Sequence, residues 1–124
     1  MMDIETNLKG DIPVIHLSGR ILDGAPAERL QDAFRDVIQE GRIFSIIDLE
    51  QVTYFDSLAI GILVAHYISV TQRGGRVLLL KADNKIRVMM KMARLEDRFE
   101  WAADLDEALR MFRPPDLADR LVSP

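Results

Sequence analysis

Two short side chains, Asp56 and Ser57, stand between a polar turn and an apolar run in the stretch TYFDSLAIGILVAHY, residues 53–67. A carboxylate at such a point can accept backbone N–H bonds from the first turn of a helix, which makes Asp56 a candidate N-cap. The hydroxyl that follows can be presented for chemistry or to a partner. The two roles are compatible. A phosphate on Ser57 would meet the free N–H groups and the dipole of a helix N-terminus, both of which favour an anion. The fold would survive while the surface gained about two negative charges beside Asp56. A partner docked there would be expelled by repulsion and by the desolvation of the new charge.

Other reactive constellations are weaker. Asp48 and Asp56 could suggest a phospho-aspartate receiver, but that chemistry needs a Mg²⁺ site with further acids after the first parallel strand, and VIHLSGR (residues 14–20) offers none. His16 and His66 have no spacing that pairs them as metal ligands. No GxxxxGK[ST] phosphate loop occurs. There are no cysteines, which removes thiol catalysis, disulfides and cysteine metal sites. No nucleophile stands with a matched base, so the expectation is a protein that is not an enzyme and carries no cofactor and no metal.

The elements that must position Asp56 and Ser57 can be read from periodicity. Residues 3–8 alternate polar and apolar and predict an edge strand, and residues 14–19 predict a second strand opened by Pro13 and closed by Gly19. Residues 25–41 form an amphipathic helix, with Leu30, Ala33, Phe34, Val37 and Ile38 on one side and Gly41 at the exit. Residues 44–49 read as a central strand and the run from Leu58 to Gly74-Gly75 as a helix. Residues 76–81 predict another strand, 84–95 a helix capped by Asp83 or Asn84, 98–102 a short strand and 104–112 a final helix. Met89, Met90 and Met92 on the third helix are the kind of side chain that fills cores. The order predicts a single small α/β domain with a mixed, mostly parallel sheet of about five strands and about four helices. Residues 1–113 form the domain and 114–124 a tail.

A wheel stepped at about 100° per residue from Ser57 divides the second helix. Ala59, Ile60, Leu63, Val64, Tyr67 and Val70 fill the arc expected on the sheet. Gly61, His66, Ser69, Gln72 and Arg73 fall on the other side, with Leu58, Ile62 and Ala65 among them. An apolar patch beside a hydroxyl at a helix start predicts a docking surface made of Leu58, Gly61, Ile62, Ala65, His66 and Ser69.

Composition limits the partners. Among 124 residues, 20 acids outweigh 16 Lys and Arg, for a net charge of −4. That field draws the molecule to neither nucleic acid nor anionic lipid. The apolar run from Leu58 is too short to span a bilayer, and the first residues carry acids where a signal peptide needs an apolar core. The expectation is a cytoplasmic domain that binds neither nucleic acid directly nor a membrane.

In order, the chain presents Asp48-Leu49 at a strand end, the Asp56-Ser57 turn, Gly74-Gly75 before a strand, Leu95 to Phe99, and the helix from Asp104 to Leu109. This set, over residues 3 to 112 approximately, resembles the STAS domain family of anti-sigma-factor antagonists. The resemblance implies a bacterial, phosphorylation-controlled regulator of transcription. The unphosphorylated form binds an anti-sigma factor that is a serine kinase; phosphorylation of Ser57, supported by Asp56, releases it; a serine phosphatase restores it. Two departures stand out. Leu58-Ala59 follow Ser57 where the family has a small residue and then Gly, and the element Gly19-Arg20-Ile21-Leu22-Asp23 is one residue long. The family therefore also implies an alternative, a structural STAS subunit of a stressosome-like or lipid-transport assembly. Self-association is left open.

Overall fold

The computed structural model describes residues 2–21, 24–80 and 84–112. The chain opens with a hairpin, β1 (Met2–Lys9) and β2 (Ile12–Ile21), turned by Gly10 and Asp11. Gly10 has φ 63°, at the first turn position where a two-residue hairpin of the II′ kind calls for glycine. Then follow α1 (Ala25–Gln39), β3 (Phe44–Phe55), α2 (Ser57–Gln72), β4 (Arg76–Leu80), α3 (Asn84–Met92), a 3₁₀ turn (Glu96–Arg98), β5 (Glu100–Ala102) and α4 (Leu105–Met111). The five strands lie in the order β1-β2-β3-β4-β5. β1 is antiparallel to β2, and every later pair is parallel. The result is the expected α/β domain with a mixed, mostly parallel sheet.

Each crossover steps to the next strand in the same direction. Right-handed crossovers of that kind stack their helices on one side of a sheet. Accordingly α1, α2 and α3 share a core with Ile15, Leu17, Ile47, Leu49, Val77 and Leu79. Alternate residues of the same strands, Val14, Ile46, Leu78 and Leu80, turn to the other face and pack with Ala108, Leu105 and Leu109 of α4. Both faces of β3 and β4 are therefore apolar, which is why these strands read as continuous hydrophobic runs.

Several boundaries differ from the reading of the sequence. β2 runs through both Pro13 and Gly19 instead of stopping at them. Pairing with β3 starts only at Val14, so the missing N–H of Pro13 removes no ladder bond. Gly19, at φ 82°, sits at a register shift. β3 extends six residues beyond its expected end. Its register slips by one residue between Asp48 and Gln51 and again between Val52 and Tyr54. Each slip is a bulge that inserts one residue into β3. Its buried positions therefore fall at Leu49, Val52 and Phe55, a spacing of three that hides the strand from a period-two reading. α3 ends at Met92 instead of 95, and β5 keeps only 100–102. Met90 is core, whereas Met92 is 81% exposed. Leu22 and Asp23 of the early Gly19 element, the cap candidate Asp83 and the tail 114–124 lie outside the described residues.

Gly74 and Gly75 close α2. Gly74 (φ 81°) donates to Thr71 O and Gly75 to Val70 O at 2.9 Å, a Schellman motif. A side chain at Gly75 would strike the carbonyl of Ile43, which itself accepts the Arg76 N–H at 2.9 Å. At this end of the sheet, opposite Ser57, the loops after α1 and α2 meet backbone to backbone.

Candidate functional site

The extended β3 delivers the chain to Asp56, whose backbone is extended (φ −86°, ψ 177°) as an N-cap must be. Its carboxylate accepts the Ala59 N–H at 2.8 Å. Ser57 is the first helical residue and is exposed. No acid follows in the first turn of α2, so the dipole there is unopposed except by Asp56 itself.

The outward surface of α2 is narrower than the wheel predicts. Leu58 is 45% exposed, and Gly61 and Ala65 are exposed. Ile62 and His66 are not: they are 6% and 3% exposed. The reason is lateral. α1 packs against the flank of α2, and the Phe34 ring stacks on His66 at 4.1 Å and 12° between planes. A wheel with only a sheet side and a solvent side has no place for a neighbouring helix. Ser69 is half-buried, and its hydroxyl accepts from Arg73 Nη1 at 2.6 Å. Ile68, 45% exposed, was absent from the expected surface. The exposed apolar stripe is thus Leu58, Gly61, Ala65 and Ile68, at steps of three, four and three. Continuing the helical spacing outward from Leu58 would have found it.

His66 is held neutral. Burial pushes its pKa from 6.5 down to about 4. Its Nε2 lies 3.4 Å from Ser45 Oγ, and among the described residues Nδ1 has no hydrogen-bond partner. The other histidine, His16, pairs through Nδ1 with Asp48 Oδ2 at 2.9 Å, while Asp48 Oδ1 accepts the Glu50 N–H. That pair lies on the sheet face that α4 shares, away from α2, so Asp48 and Asp56 do not meet. Among the described residues, no group of three His, Asp or Glu side chains is placed to hold a metal ion, and no helix is long and apolar enough to cross a membrane.

A model of the STAS domain family matches residues 3–108. The chain belongs to this family. The STAS domain is similar to a solved anti-sigma factor antagonist from Mycobacterium paratuberculosis, at 23% identity over 92% of this chain and 96% of that one, with a TM-score of 0.81. It is similar to the Bacillus cell fate determinant SpoIIAA in its phosphorylated form, at 21% identity over 90% of this chain and 100% of that one, TM-score 0.71. It is also similar to a sulfate transporter family protein from Wolinella succinogenes, at 20% identity over 95% and 93% of the two chains, TM-score 0.70. At these identities the likeness is one of fold.

Within this STAS domain the motif residues divide by job. Gly74 and Gly75 shape a turn. Asp104 caps α4 by accepting the Glu107 N–H at 2.8 Å. Phe99 is buried against the Tyr67 ring at 4.9 Å. Asp56 and Ser57 alone combine a capping role with an exposed hydroxyl.

Proposed function

We propose that this STAS domain is an anti-sigma-factor antagonist that works as a binding switch and not as an enzyme. Unphosphorylated, it docks an anti-sigma factor serine kinase through Leu58, Gly61, Ala65 and Ile68 on α2. The kinase transfers the γ-phosphoryl group of ATP to the Ser57 hydroxyl, whose proton leaves as the P–O bond forms and ADP departs. The new dianion stands beside the stripe, and the partner leaves. A serine phosphatase returns the hydroxyl.

The observation that carries this reading is the placement of Ser57: an exposed hydroxyl at the start of a 16-residue helix, next to a half-exposed Leu58. A protein of the same fold, SpoIIAA, has been solved in a phosphorylated form, which lends the reading support.

The test is direct. The protein is incubated with an anti-sigma factor serine kinase and ATP, and the added phosphate is mapped by mass spectrometry. It should appear on Ser57 and vanish in Ser57→Ala. Ser57→Asp should bind the kinase at least about tenfold more weakly than wild type, a change of about 1.4 kcal/mol. Phosphate on another residue, or wild-type affinity in Ser57→Asp, would count against the switch.

The similarity to the sulfate transporter protein favours a second reading, a constitutive STAS subunit of a larger assembly. It predicts no kinase-dependent mass change and a binding surface insensitive to Ser57→Asp.

A further inference from the structure

β1 is the long outer edge of the sheet. It has eight residues, against three in β5 at the opposite edge. A strand edge of this length is a template for another strand unless it is covered or disrupted. Among the described residues nothing pairs with the outer edge of β1.

The hairpin decides which groups it presents. Lys9 and Ile12 face each other across the two-residue turn, so they form a hydrogen-bonded pair, and the alternation then sends the amides of Ile4, Thr6 and Leu8 outward. One local bond agrees with this: the Ile4 N–H, free of β2, is taken at 3.0 Å by the carboxylate of its neighbour Asp3. The outward residues are also those whose side chains lie toward α1. Leu8, at the end of that row, is 49% exposed.

The segment from Asp3 to Lys9, DIETNLK, complements itself when reversed about Thr6. Ile4 then faces Leu8, and Thr6 faces Thr6. On the other side of the strand Asp3 faces Lys9, and Glu5 faces Asn7. Opposite-charge pairs and Thr–Thr pairs across antiparallel strands are favourable, and facing Ile4 with Leu8 buries apolar surface. Centring the reversal on Glu5 would oppose two Glu5 carboxylates. Centring it on Asn7 would set Asp3 against Asp11 and Ile4 against Gly10. Centring it between residues would set outward amides against inward ones.

From this self-complementarity we propose that β1 pairs with β1 of a second copy of the chain, antiparallel about a two-fold axis at Thr6, joining two five-stranded sheets into one. About six backbone hydrogen bonds form across the axis. Asp3 gives up the Ile4 amide and its 3.6 Å contact with Arg29 and turns to Lys9 of the second copy. Among the described residues, the flank of α1 beside this edge carries Asp32, Asp36 and Glu40 against the single cation Arg29. These acids oppose close approach, so the association belongs to high concentration. Ser57 lies away from the axis on α2, so each dimer displays two switch sites.

The experiment is sedimentation of the full chain from about 10 μM to about 1 mM, a range that spans weak association. Wild type should rise from the 14.1 kDa chain mass toward twice that value. Thr6→Pro removes an amide that only the second copy uses, and proline is tolerated on a free edge; this variant should remain monomeric at every concentration. Lys9→Asp should also remain monomeric, and adding Asp3→Lys to it should restore the dimer, because the swapped charges meet again across the axis. Folding of each variant is checked by thermal melting. A wild type that stays monomeric at 1 mM, or a charge swap that fails to restore the dimer in a folded protein, would overturn the proposal.

Discussion

Gly61 is the residue whose presence local structure explains least. Its φ is not positive, and a Cβ placed on it would meet nothing within 4 Å. In an exposed helix interior glycine is less favourable than alanine by about 1 kcal/mol. Gly61→Ala should therefore stabilise the protein by about 0.5–1 kcal/mol, which raises the melting temperature by roughly 2–5 °C. If the stripe docks a partner, the missing methyl is a place for close approach, and the same variant should bind that partner more weakly. Calorimetry and titration together read both effects. His66 makes a different prediction. Its folded pKa of about 4 lies below the unfolded 6.5. Its neutral form is thus favoured by folding above pH 6.5, and that stability is lost as pH falls toward 4. The whole effect is about 3 kcal/mol at 1.36 kcal/mol per unit. The urea midpoint should fall between pH 6.5 and 5, before most carboxylates titrate. His66→Phe, which keeps the stack on Phe34, should flatten that slope.

Helix ends illustrate why some elements were legible and others were not. α1 and α2 both close in Schellman motifs with glycine in the left-handed position, Gly41 at φ 77° and Gly74 at φ 81°, and both exits were read correctly. α3 closes in the same way: Arg94 donates to Lys91 O, and Leu95 to Met90 O at 2.8 Å. Here the left-handed residue is Arg94, at φ 59°. An arginine gives no stop signal, so the predicted helix overran to 95. The strain is measurable. Arg94→Gly should stabilise by about 1 kcal/mol, since glycine adopts this conformation without the Cβ penalty. Chemical denaturation checks it, and a variant no more stable than wild type would contradict the assignment. β3 failed for the converse reason: two bulges replaced its period of two, and the signal that identifies strands was absent from residues 50–55.

At the scale of the molecule, fold class followed from the order of elements, because alternating strands and helices leave few arrangements. The Asp56-Ser57 turn was legible because capping has a chemical signature. The exposed apolar stripe of α2 was legible only in part. Leu58, Gly61 and Ala65 stay at the surface, but Ile62 and His66 turn inward because α1 covers them. The side-by-side placement of two helices is a tertiary fact with no local trace. The same layout keeps Ser57 apart from the core. The core lies under α1, α2 and α3 and beneath α4, and Ser57 is exposed at the start of α2. Ser57→Asp should accordingly melt within a few degrees of wild type, since surface changes stay within about 0.5 kcal/mol.

The meeting of Ile43 and Gly75 gives the molecule a hard end and a soft end. Where those two loops abut there is no room for even a methyl group, and the Arg76 N–H bonds across to the Ile43 carbonyl. A tilt of α2 about that contact would displace most the residue that would carry the phosphate.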